Sequence, residues 1–232
     1  PNSRILQRFD GIMFFTLLKK DLLLELRSKE IVISMLTFGV TVILTFAFSF
    51  NVSSDIMGTF APGLFWIMIL FISVLGLQRS FAYEKEFDAY SLMLTSPVDR
   101  GLIFLSKWIS GTLFLIITEC AVALPFILFL QLTIDVNMLN FCGVIILADL
   151  GIMVGGSLVS GLAMRAKMSA VLLPILMFPI VSPVLIAAVK ATIGLLNHEP
   201  YAYWQLSIRI MGSFTVIFGL IGYTLYDHIS EE

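Results

Sequence analysis

Residues 31–50 read IVISMLTFGVTVILTFAFSF, twenty consecutive positions without an Asp, Glu, Lys, Arg or His. Coiled as a helix at about 1.5 Å per residue, such a stretch crosses a hydrocarbon core about 30 Å thick. In lipid there is no water to meet the backbone N–H and C=O groups, and a helix satisfies them within one segment. The same reading outward finds five more predominantly apolar runs, at residues 60–77, 107–129, 139–162, 170–189 and 207–226, with charge only at Lys107, Glu119, Asp149 and Arg209. In the third run apolar residues extend from 102 to 132, and Pro125 is expected to kink the crossing by removing one backbone donor. The fifth carries Pro174, Pro179 and Pro183, a density expected to break or bend it and to leave carbonyls for neighbours to satisfy. The fold class that follows is an all-α integral membrane protein with six transmembrane helices in a single domain over 1–232.

Composition agrees. Of 232 residues 59% are hydrophobic and 13% charged, well away from the roughly one-quarter charged content of soluble domains. With 14 basic and 16 acidic side chains the net charge is −2, which excludes nucleic acid as a partner, since a phosphate backbone selects a basic excess. No G-x-x-x-x-G-K-[ST] stretch occurs, so any ATP hydrolysis belongs to another chain. Cys120 and Cys142 lie in apolar runs without metal or redox spacing and are expected as small buried hydrophobes; no metal site is expected.

Orientation follows from the basic residues. One side collects Arg4, Arg8, Lys19, Lys20, Arg27, Lys29, Arg79, Lys85, Arg100, Lys107, Arg165 and Lys167, the other only Lys190 and Arg209. The positive-inside rule then places both termini in the cytoplasm, with outer loops at 51–59, 133–140 and 191–206. Arg79 and Lys107, at inner span ends, are expected to snorkel to the interface.

Two segments outside the spans are organised. In residues 1–30 an apolar stripe of Ile12, Phe15, Leu18, Leu22 and Leu26 opposes Lys20, Asp21, Glu25 and Ser28. This pattern predicts an interfacial helix preceding the first span, on lipid or packed on the bundle. In the longest inner loop, residues 80–95 begin charged (Glu84, Lys85, Glu86, Asp88) and end apolar (Leu92, Met93, Leu94), before Ser96-Pro97 stops any helix. A charged helix ending in an apolar knob suits docking into a protein groove, the alternative being a solvated hairpin. Within the spans, Glu119 and Asp149 stand about half-way along the third and fourth crossings. A charge at that depth costs about 3 kcal/mol on insertion scales. They lie either on a dimer or substrate pathway or, alternatively, accept local hydrogen bonds or stay protonated against neighbouring helices.

The run Ala61-Pro62-Gly63 with Trp66, then Gln78-Arg79, Phe81, Phe87, Asp88, Ser91-Leu92, Ser96-Pro97 and Lys107-Trp108, resembles the cytochrome c maturation permease family, the haem exporter B proteins. A second block resembles the proline-bearing fifth span of the same family: Gly155-Gly156 through Leu162, Lys167, Leu172 to Pro174, Pro179, and Pro183 to Ile186. The blocks cover roughly residues 15–190; Gln78 replaces an acidic residue common in the family, and 163–169 lacks a Gly-rich turn. The resemblance implies a permease subunit of an ABC-2 type transporter in the bacterial inner membrane, working as a homodimer on a separate ABC ATPase that binds the ATP. It also implies a haem-handling membrane protein and a haem chaperone as partners, with ATP turnover linked to release of the loaded chaperone. By the same resemblance residues 80–95 form the coupling helix that enters the ATPase, with Tyr83, Glu84, Glu86, Phe87, Asp88, Ser91, Leu92 and Met93 as its contacts. Two other classes are an ABC-2 permease for a lipid, a polysaccharide or a metal, and an intramembrane enzyme. The latter is disfavoured because nothing at depth supplies a His or a Lys.

Haem as cargo finds few ligands in this chain. An axial ligand needs an imidazole, thiolate, thioether or phenolate aimed at the iron, and the two histidines, His198 and His228, fall on opposite sides of the membrane. The eleven methionines are spread through the spans and suit gap-filling. On the outer face His198, Tyr201, Tyr203 and Trp204 form an aromatic cluster that reads as an interfacial belt or as a docking surface for the haem-handling partner. The purified chain alone is therefore expected not to bind haem stoichiometrically, as checked by optical titration. A Soret band at one haem per chain, lost in His198→Ala, would overturn this.

Overall fold

The computed structural model describes residues 2–27, 29–49, 54–86, 99–132, 135–163 and 169–229, which form seven helices and no strand. In chain order they are α1 (Asn2–Arg27), α2 (Lys29–Ser49), α3 (Ser54–Glu86), α4 (Arg100–Phe129), α5 (Met138–Ala163), α6 (Ser169–Leu196) and α7 (Tyr201–Ile229). Helices α2 to α7 are each long and apolar enough to cross a membrane. Apolar side chains such as Phe48, Ile67, Ile117, Ile175 and Val216 cover the outside of the bundle, as a lipid-facing surface requires. Cys120 and Cys142 are also on that outer surface, not buried as expected, because each occupies the lipid side of its helix.

Helix α5 is the centre of the bundle. Residues 151–161 are buried without exception, and α5 packs against α3, α4, α6 and α7. Small residues make this possible: a methyl group at Gly156 would lie 2.5 Å from Leu77 Cδ1 of α3, so the neighbour occupies the space a side chain would take. Hydroxyl groups in the spans are met locally, Thr118 donating to the Phe114 carbonyl, Ser160 to Gly156 and Thr215 to Met211, each one turn back. Over a longer range Trp66 Nε1 donates to Thr192 Oγ1 at 2.9 Å and pins α3 to α6.

Several elements differ from their sequence-based bounds. The three prolines do not break α6, which is continuous from Ser169 to Leu196. Pro183 has no N–H for the Pro179 carbonyl, and the Ser182 hydroxyl donates to that carbonyl instead, at 2.9 Å. Most of the expected outer loop 191–206 is helical, since α6 runs to Leu196 and α7 starts at Tyr201. The segment around Ser80 does not open a separate helix: residues 80–86 are the last turns of α3, and 87–95 lie outside the described residues.

Helix α1 packs on α4 and touches α2. Its expected polar face is turned partly inward, with Asp21 and Glu25 buried, while Phe15 of the apolar stripe is 69% exposed. The reason is a polar receptor on α4, where the fully buried Ser106 hydroxyl donates to Asp21 Oδ2 at 2.5 Å; the other carboxylate oxygen pairs with Lys20 at 2.9 Å. Lys107 does not snorkel. It is buried beside this contact with Nζ 5.0 Å above the Phe81 ring, whereas Arg79 is exposed.

Helices α4 and α7 meet at the end of the bundle that carries α1. There the Tyr223 ring of α7 rests on Gly101 of α4, and the Phe104 ring of α4 rests on Gly222 of α7, a reciprocal pair of seats. A methyl group at Gly222 would land on the Phe104 ring, which is wholly buried and has nowhere to go. Gly222→Ala is expected to destabilise the protein by about 1–3 kcal/mol through overpacking. Gly212→Ala on the same helix, where no atom approaches the added methyl within 4 Å, should leave the thermal unfolding midpoint in detergent unchanged or slightly raised.

Candidate functional site

The functional residues expected from sequence fall at three depths. At mid-bilayer, α4 and α5 bring Glu119 and Asp149 together: the carboxyl groups come within interaction range of each other. Glu119 is 2% exposed and Asp149 0%. Both therefore face the interior of a single bundle and not an outer surface. None of their four carboxyl oxygens makes a hydrogen bond with another described residue, so the local-acceptor alternative is not what the structure contains. The sequence could place each acid half-way along its span, but 30 positions of separation carry no information on which faces meet.

At the end that carries both α1 and the last turns of α7, α3 continues past its membrane-spanning window (Thr59–Ala82) to Glu86. At about 1.5 Å per residue its 33 residues reach about 50 Å, well beyond the hydrocarbon. Tyr83, Glu84 and Glu86 are on this projecting end; Phe87, Asp88, Ser91, Leu92 and Met93 lie outside the described residues. Where the chain returns, Asp99 caps α4 by accepting the Gly101 N–H at 2.8 Å on Oδ1, and its Oδ2 accepts the Tyr223 hydroxyl of α7 at 3.0 Å. Asp99 thus ties the exit of the 87–98 segment to two spans, a role with no motif to mark it. A small cavity of about 20 Å³ is lined among others by Glu25, Met35, Ser73, Ser80 and Met153. That volume is far below the several hundred Å³ or so of ligand pockets.

At the opposite end, α6 closes in a Schellman motif: the Glu199 N–H donates to the Gly194 carbonyl at 2.8 Å and the His198 N–H to Leu195 at 3.2 Å. His198 occupies the position usually held by glycine and has φ +53°. Helix α4 ends the same way, with Leu132 bonded to Ile127, Gln131 to Leu128, and Gln131 at φ +53°. The His198 ring is largely exposed, with Nε2 3.9 Å from Asp135 Oδ2 across the neighbouring connection. The aromatic cluster divides: Tyr201 and Tyr203 are each 57% exposed, while Trp204 is buried against Gly194. Tyr201 packs edge-on against Trp204, their centroids 4.8 Å apart. His228 belongs to the far turns of α7, about 40 Å of helix from Tyr201, and so lies at the other end of the bundle from His198. No group of three or more metal-ligating side chains occurs among the described residues.

A non-glycine residue in the left-handed region costs about 1–2 kcal/mol. His198→Gly is therefore expected to raise thermal stability by about 1 kcal/mol, measured by thermal unfolding in detergent. A loss of stability would show that the imidazole contributes more than its backbone does.

Comparison with known proteins bears on what this arrangement serves. The chain is 29% identical over 206 residues to Heme exporter protein B of Pseudomonas aeruginosa, covering 86% of this chain and 90% of the relative. A family model described as CcmB protein matches residues 12–222, from the middle of α1 to near the end of α7. This chain belongs to the CcmB family.

Proposed function

We propose that the protein is the permease subunit of an ABC transporter complex for cytochrome c biogenesis. In this reading it couples ATP hydrolysis on a separate ATPase chain to haem delivery or to release of a haem-loaded chaperone. Family membership over residues 12–222 is the observation that carries it, together with the relative named as a haem exporter. The chain works as a homodimer in the bacterial inner membrane with both termini cytoplasmic, the orientation that the twelve-to-two division of basic residues favours. The projecting end of α3 and residues 87–95 then meet the ATPase, and the Asp99 link to Gly101 and Tyr223 passes a displacement of that segment to α4 and α7 together. On the outer face the exposed Tyr201 and Tyr203, with His198 beside them, supply an aromatic contact for the haem-handling membrane protein; Trp204 supports them from beneath. Haem is cargo here, held by a partner. A small cavity and two histidines at opposite ends of α7 support that division of labour.

Replacing both Leu92 and Met93 by Asp is expected to abolish co-purification with the ATPase subunit while membrane insertion is unchanged, because charge removes the apolar knob from the groove. Normal recovery of the ATPase with that double variant would sink the coupling assignment.

A further inference from the structure

The geometry points to a proton-binding site inside the bundle, formed by Glu119 of α4 and Asp149 of α5, in which one proton is held between the two carboxyl groups. As carboxylates both side chains are acceptors only, and two acceptors aimed at one another lack a donor. Their oxygens are buried and meet no N–H or O–H of the described residues. At 2% and 0% exposure the site also has no room for a hydrated metal ion or for a partner's side chain. A proton is the ligand that supplies the missing donor without needing space.

The surroundings agree. Of the helices packed against α4 and α5, the ionisable side chains described on α2, α3, α6 and α7 sit toward the span ends: Lys29 and Glu30, Arg79, Lys190, and Tyr201, Tyr203, Arg209, Tyr223 and Tyr226. Asp21 and Lys107 lie at the α1 end, Lys107 three turns from Glu119, while Glu25 borders a cavity with Leu115 and Met153, each one turn from the pair, and as a carboxyl it adds no cation. The Cys120 thiol, on the lipid side of α4, adds no compensating cation. The balance is simple: one proton enters from water, one O–H bond forms on either carboxyl, and the charge on the pair falls from two to one. The resulting acid–carboxylate hydrogen bond joins α4 to α5 at the depth where an uncompensated charge is least tolerated.

Infrared difference spectroscopy of the full chain in lipid bilayers tests this. At neutral pH the wild type should show the C=O stretch of a protonated carboxyl. Glu119→Gln and Asp149→Asn should each lose it, because the amide N–H replaces the proton and leaves the other carboxylate ionised as its acceptor. Both amide variants should melt close to the wild type, and Glu119→Ala well below it. The proposal is overturned if the wild type lacks the band, if both amide variants keep it, or if they melt as low as Glu119→Ala. It fails equally if neither amide variant can be purified, since amide and acid would then not be equivalent, or if melting depends on added sodium or calcium ions.

Discussion

A peptide group at bilayer depth has no solvent to bond, and every irregularity of this chain is handled under that constraint. It explains why the described residues are helical almost throughout and why three prolines are tolerated in α6. The carbonyl freed by Pro183 is met one residue away by the Ser182 hydroxyl, so the helix continues. The same demand shapes the ends of α4 and α6 opposite α1, whose last carbonyls are closed by Schellman hydrogen bonds at Gln131 and His198. Many span hydroxyls fold back on carbonyls one turn earlier, and polar contacts between helices include Trp66 with Thr192, Trp108 with the Leu150 carbonyl, and Ser106 with Asp21.

Because backbone needs are met within each helix, side chains decide how the helices associate. Apolar surface gives little preference between a neighbouring helix and lipid, so close approach and polar pairing carry the specificity. Helix α5 shows the first, with Gly151, Gly155, Gly156 and Gly161 each receiving a side chain from another helix. The α1–α4 contact shows the second: Asp21 is buried because Ser106 and Lys20 satisfy both of its oxygens.

How much of this was legible in the sequence depends on range. Run length alone identifies six spans, since runs of about twenty predominantly apolar residues have few other uses. Local pattern fails where a partner is distant. The heptad-like stripe of α1 suggests that Asp21 and Glu25 face water, and nothing near them announces Ser106, 85 positions away. Lys107 reads as a snorkelling residue until Phe81 is placed beneath it. The end of α6 at Leu196 lies beyond the expected 189, and the residue that closes it, His198, takes the left-handed conformation without being the glycine that usually marks such an end. In the outer aromatic cluster the residue types were visible but not their direction, so buried Trp204 and exposed Tyr201 looked alike. The coupling segment 80–95 rests on its residues and the family resemblance; 80–86 continue α3, and 87–95 lie outside the described residues.

The reciprocal seats between α4 and α7 also say something about the order in which the protein is made. Gly101 and Phe104 leave the ribosome more than a hundred residues before Gly222 and Tyr223, which complete their surroundings. Asp99 likewise waits for a hydroxyl 124 positions downstream, and Trp66 for one 126 positions downstream. Contacts of such long sequence separation form late. Until the last span has been inserted, α4 has an unfilled groove on one flank, and a chain stalled or cut before α7 presents that groove to the quality-control machinery of the membrane as an incomplete product.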